Sequence, residues 1–104
     1  MKTNDFDTSE LTGEALTIAN IVKNVLGQEA DNGGCQAFRD PDTWDDTYGR
    51  QSKLILVHDG GDLARYCSYD YQDYSSIEKL SQALAEGGYW VEQCTTWYSA
   101  VYKN

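Results

Sequence analysis

Basic residues are scarce in this chain. Eight Lys and Arg stand against seventeen Asp and Glu in 104 residues, a formal charge of -9 with histidine neutral and a pI near 4.3. A body so charged repels polyphosphate and anionic lipid over about a Debye length, roughly 8 Å in physiological salt. Direct nucleic-acid binding and docking on a membrane are therefore not expected. Long apolar runs are missing too: the longest, Leu54–Val57, falls far short of the roughly 18 residues that a spanning helix needs. Cysteine occurs three times, and an odd number at wide spacing (Cys35, Cys67, Cys94) does not describe a disulfide scaffold. The polar, acidic start lacks the basic and apolar stretches of a secretory signal. Together these predict free thiols in a reducing cytoplasm.

What is present fits one globular domain. With 40% hydrophobic and 12% aromatic residues, the composition is far from that of disordered chains, and a chain of this size buries roughly two thirds of its unfolded surface. Residues 1–10 have no periodicity and read as a loose acidic arm, leaving 11–104 as a single domain. Leu11, Ala15, Ile18, Val22 and Val25 recur at helical spacing, with Thr12 as N-cap and Gly27 as stop. Residues 31–34 are turn material, and 35–38 allow a short strand. Asp40-Pro41 starts a short helix that runs through Trp44 to Tyr48 and stops at Gly49.

Leu54–Val57 is apolar on both faces, as a central strand should be. The turn His58-Asp59-Gly60-Gly61-Asp62 then suggests that 63–69 pairs back as a hairpin. Tyr74, Ile77, Leu80, Ala83 and Leu84 return to helical spacing, ended by Gly87-Gly88. Residues 89–94 and 97–102 read as two aromatic strands joined through Thr95-Thr96 by a bulged connection. The predicted fold is α+β: a mostly antiparallel sheet of about four strands with two main helices on one face, in the order α, short α, β, β, α, β, β.

His58, the single histidine, stands beside Asp59 and Asp62, so a Cys-His-Asp arrangement is conceivable. The close Cys-x-x-Cys or His-x-x-x-His pairs of a zinc site are lacking, and the Asp40, Asp42, Asp45, Asp46 cluster does not complete a calcium loop. No catalytic residue, metal or cofactor is assigned. The aromatics are more concentrated: Tyr66, Tyr69, Tyr71, Tyr74, Tyr89, Trp90, Trp97, Tyr98 and Tyr102 crowd one part of the chain. Strand neighbours point to opposite faces, so Tyr89 and Trp90, or Trp97 and Tyr98, cannot all enter one core. Tyr and Trp left on a second face suit a partner or dimer surface.

The motifs His58-Asp59-Gly60-Gly61-Asp62 and Cys94-Thr95-Thr96-Trp97-Tyr98-Ser99-Ala100, with Gly33-Gly34-Cys35-Gln36-Ala37-Phe38 upstream, resemble a group of small uncharacterised proteins of phages, plasmids and other mobile elements. The resemblance covers residues 33–102 and implies a setting rather than a chemistry. The expectation is a non-enzymatic accessory protein that acts by protein contact through an acidic, aromatic surface, as a homodimer or on a partner with a basic surface. Its sharpest form is an anti-defence inhibitor or nucleic-acid mimic, with His58, Asp59, Asp62, Trp90, Trp97 and Tyr98 as candidate binding residues. The alternative is a small-molecule or metal-binding domain, catalytic or not, centred on His58, Asp59, Asp62 and the cysteines.

Overall fold

A computed structural model describes residues 5–104. Helix α1, Gly13–Leu26, buries Ile18, Ala19 and Val22 from its apolar stripe. It ends at Gly27, whose φ of +89° suits a residue without Cβ and whose N–H donates to Lys23 O. Strand β1 is only Phe38–Arg39, and β2, Leu54–Val57, is buried at all four positions. Helix α2, Ala64–Cys67, is a single turn. Helix α3, Tyr74–Glu86, buries Ile77, Leu80 and Leu84. Strands β3, Tyr89–Gln93, and β4, Tyr98–Lys103, close the chain. The sheet is antiparallel throughout, in the order β1-β2-β4-β3, so the fold is α+β as the sequence implies. No helix among the described residues is long and apolar enough to cross a membrane.

The period-2 alternation of the strands divides the sheet into two faces. Phe38, Leu54, Leu56, Tyr89 and Val101 pack with Ile18 and Val22 of α1, Cys67 of α2 and Leu80 and Leu84 of α3 into the main core. The opposite face gathers Ile55, Val57, Tyr98 and Ala100 into a smaller cluster, with Trp44, Cys35, Cys94 and Tyr102 against it. Among the described residues no helix contributes to that second cluster. The loop carrying Trp44 and Gly49 covers part of it, and Gly49 lies so close that a Cβ would sit 2.6 Å from Ile55 Cδ1 and 3.2 Å from Ala100 Cβ.

Three local expectations are corrected. Residues 63–69 are not a return strand. Leu63, Ala64 and Cys67 bury together at helical spacing, and both sides of β2 are already occupied by β1 and β4. The short helix after Asp40 is one 3₁₀ turn, Pro41–Thr43, with Asp40 accepting from Asp42 N–H. Trp44 leaves it in extended conformation, and its ring packs edge-on against Tyr98, 5.0 Å between centroids. Of the loose arm placed at 1–10, residues 1–4 lie outside the described residues. Asp5 and Phe6 are buried, Ala37 N–H donates to Asp5 O at 2.8 Å and the rings of Phe6 and Phe38 meet edge to face. Those two residues belong to the packed domain.

Candidate functional site

The turn 58–62 is built by its glycines and its second aspartate. Gly60 has φ +87°, and Gly61 passes so close to the Asn32 backbone that no Cβ fits there. Asp62 ties the turn to residues 31–34: its N–H donates to Asp31 O at 2.7 Å, and its carboxylate accepts from Asp31 N–H at 2.8 Å. Asn32 is fully buried, and its amide donates to Cys35 O at 3.0 Å and Val57 O at 2.8 Å. Asp5 Oδ2 in turn accepts from Asn32 N–H and Gly34 N–H. A buried carbonyl left without a donor costs about 1–3 kcal/mol, so Asn32 finishes the end of β2 where the two-residue β1 gives out.

His58, Asp59 and Asp62 do not converge. Asp59 and Asp62 are exposed, whereas His58 turns inward with no exposed surface. Its Nε2 lies 2.8 Å from Ser99 Oγ, and the Ser99 hydroxyl also bears on the Cys67 thiol. A serine and a histidine at this spacing are the elements of a nucleophile and its base, but Ser99 too is fully enclosed. Burial holds the His58 pKa down from 6.5 to about 4. The ring is therefore neutral at physiological pH, and His58, Ser99 and Cys67 form a polar seam inside the main core. Sequence reading missed Ser99. The usable signal was its inward parity in β4 beside a histidine one residue past the buried β2.

Cys67 lies in the main core, whereas Cys35 and Cys94 both pack against the smaller cluster on the other face. Burial pushes Cys67 up to about 12, and burial with the Glu92 charge pushes Cys94 to about 11, so neither is a thiolate at neutral pH. Among the described residues no group of three His, Cys, Asp or Glu side chains is placed to hold a metal ion. A cleft of about 640 Å³ at the C-terminal end of α1 is lined by Phe6, Asn20, Lys23 and Leu26 among others, and none of the candidate residues borders it.

The remaining candidates fall into two ring groups on the sheet face opposite the main core. Trp90 stacks on Tyr102, centroids 4.7 Å apart and planes 22° from parallel, as cross-strand partners in register. Trp97 lies against Tyr98 at 4.6 Å and Trp44 at 5.8 Å. Trp90 and Trp97 are 44% and 36% exposed, while Tyr98 is wholly buried and its hydroxyl accepts from Tyr48 N–H. Tyr98 is thus the floor beneath Trp97, and Trp90 and Trp97 keep exposed ring area. Glu92 and Asp45 are exposed on the strand and loop that carry the rings, so the patch combines aromatic area with negative charge. Trp44 and Tyr102 are members that the sequence did not single out for binding. No protein-family model matches this chain, and no curated protein or solved structure matches it.

Proposed function

We infer that the protein is a non-enzymatic accessory factor of a mobile element, working in the cytoplasm by direct contact with a protein that has a basic surface. The observation that carries this reading is the helix-free sheet face, where Trp90 and Trp97 stay exposed beside Glu92 on a chain of charge -9. Tyr and Trp supply large contact area at low entropic cost. The acidic field speeds encounter with a basic partner and disfavours an acidic one. Inhibition of a nucleic-acid-handling host enzyme by occupying its basic groove is the sharpest form of the same reading, since such a groove already accepts stacked rings and negative charge. The enclosure of His58 and Ser99 and the raised Cys67 and Cys94 thiols favour binding over catalysis.

The test is affinity capture of basic, nucleic-acid-handling proteins by the wild-type chain and by Trp90→Ala and Trp97→Ala. Support is capture that falls at least about tenfold on raising salt from low to high ionic strength and falls again in each variant. Capture unchanged by salt, or by loss of both indoles, refutes the reading.

A further inference from the structure

We propose that the outer edge of β3 is a strand-addition site, which takes an extended basic segment of the partner as a fifth strand of the sheet. This deepens the protein-contact reading and rests on it. Strand β3 ends the sheet order, and its hydrogen-bond parity follows from the bonds that flank it. Asn104 N–H donates to Gly88 O, and Cys94 N–H donates to Tyr98 O. In the register Tyr89↔Lys103 to Gln93↔Ser99, the even residues Trp90 and Glu92 therefore spend their backbone groups on β4. The N–H and C=O of Tyr89, Val91 and Gln93 point the other way, and no described residue bonds to them.

The opposite edge is short and flanked by residues 5–7. Strand β1 is two residues long, Ala37 N–H is taken by Asp5 O, and the Gln36 side chain reaches Asp7 O. The usual devices that blunt an edge are a proline, a lysine, a bulge or a covering segment. Residues 89–93 hold neither proline nor lysine, pair with β4 without interruption and consist of aromatic, β-branched and polar residues with one charge, Glu92. One edge is thus short and flanked, whereas the other leaves the outward backbone groups of Tyr89, Val91 and Gln93 unbonded among the described residues.

The chemistry at the edge specifies the occupant. On the open face, a fifth strand would lay its side chains beside Trp90 and Glu92. Lysine or arginine there meets a carboxylate and the face of an indole already held in place by Tyr102. At the Gln93 end the Gln93 side chain accepts from Tyr69 N–H, which sets the exposed Tyr69 and Tyr74, their rings 6.4 Å apart, next to the strand terminus. A second copy could pair through Val91 on a two-fold axis, since its open groups match. That pairing brings two bodies of charge -9 together and offers no cation to Glu92, so the charge favours a basic segment.

The probe is a ten-residue peptide of alternating lysine and valine, compared with one of identical sequence N-methylated at alternate residues, which keeps the charge but cannot complete a ladder. Binding is followed by fluorescence anisotropy in low salt, and amide exchange by NMR. Strand addition gives binding by the unmethylated peptide, at least about tenfold weaker binding by the methylated one, and new protection of the Tyr89, Val91 and Gln93 amides. Val91→Pro should abolish binding without touching the β4 ladder, because its N–H points outward. Glu92→Gln, which needs no refolding of the edge, should weaken binding several-fold. Equal binding of both peptides, or binding without protection of those amides, overturns strand addition while the Trp90 and Trp97 capture result stands on its own. A dimer that forms without peptide and protects the same amides overturns the basic segment in favour of a second copy. No binding of the lysine-valine peptide also overturns the proposal.

Discussion

At the residue scale, burial sets the behaviour of His58. Its pKa is 6.5 when solvated and about 4 in the core, so between those values the unfolded chain takes up a proton that the folded chain refuses. Stability from this group is complete above pH 6.5 and is lost as pH falls towards 4. The loss is about 3 kcal/mol. Thermal denaturation of wild type and His58→Gln from pH 7 to 4 should show the wild type losing this much more, and parallel curves would mean that His58 is solvated. Gly49 is the other decisive residue. A Cβ there would press on Ile55 and Ala100 at φ +89°, whereas at Gly60, φ +87°, it would meet nothing within 4 Å. Gly49→Ala should therefore cost about 2–4 kcal/mol and Gly60→Ala about 1 kcal/mol, measured by urea denaturation. Both histidine and glycines stand out in the sequence as residues with special chemistry. That His58 faces Ser99, and Gly49 the sheet, depends on side-chain parity in strands distant along the chain.

At the element scale, the long pieces were legible and the short ones were not. Helices α1 and α3 carry an apolar period repeated over several turns, and β2 is apolar on both faces; both are local properties of the chain. Residues 63–69 are too few to separate alternation from a single helical turn, and what decided them was occupancy, since β4 takes the side of β2 that a hairpin would need. The link between β3 and β4 shows the same dependence. Thr95-Thr96 is a poor two-residue turn, yet Thr95 Oγ1 accepts from Trp97 N–H and Tyr98 N–H, and Cys94 N–H and Thr95 N–H both donate to Tyr98 O. Two residues oppose one, a bulge that the side-chain hydroxyl holds. The start of α3 relies on Asp73, whose carboxylate accepts from Ser76 N–H and Oγ. Asp73→Ala should cost about 1 kcal/mol, and Ser75→Ala much less, read as the difference in denaturation midpoint.

At the scale of the whole molecule, one sheet face is committed to the helices while the other carries a small buried cluster with exposed rings on it. Trp90→Ala and Trp97→Ala should each leave stability within about 1 kcal/mol of wild type, because each ring keeps a large exposed part, while reducing partner capture about tenfold. Loss of stability comparable to that of Gly49→Ala would instead make these rings core. From its own residues the sequence determined the charge, the α+β class and the two long helices. These depend on composition and on periods that repeat within a few turns of chain. Only the tertiary structure decided that His58 is sealed against Ser99, that Tyr98 is buried and Trp90 exposed, and that β3 rather than residues 63–69 forms an edge. Each of those depends on which strands lie side by side, and the β2–β4 pairing joins residues more than forty positions apart by bonds that any backbone can make.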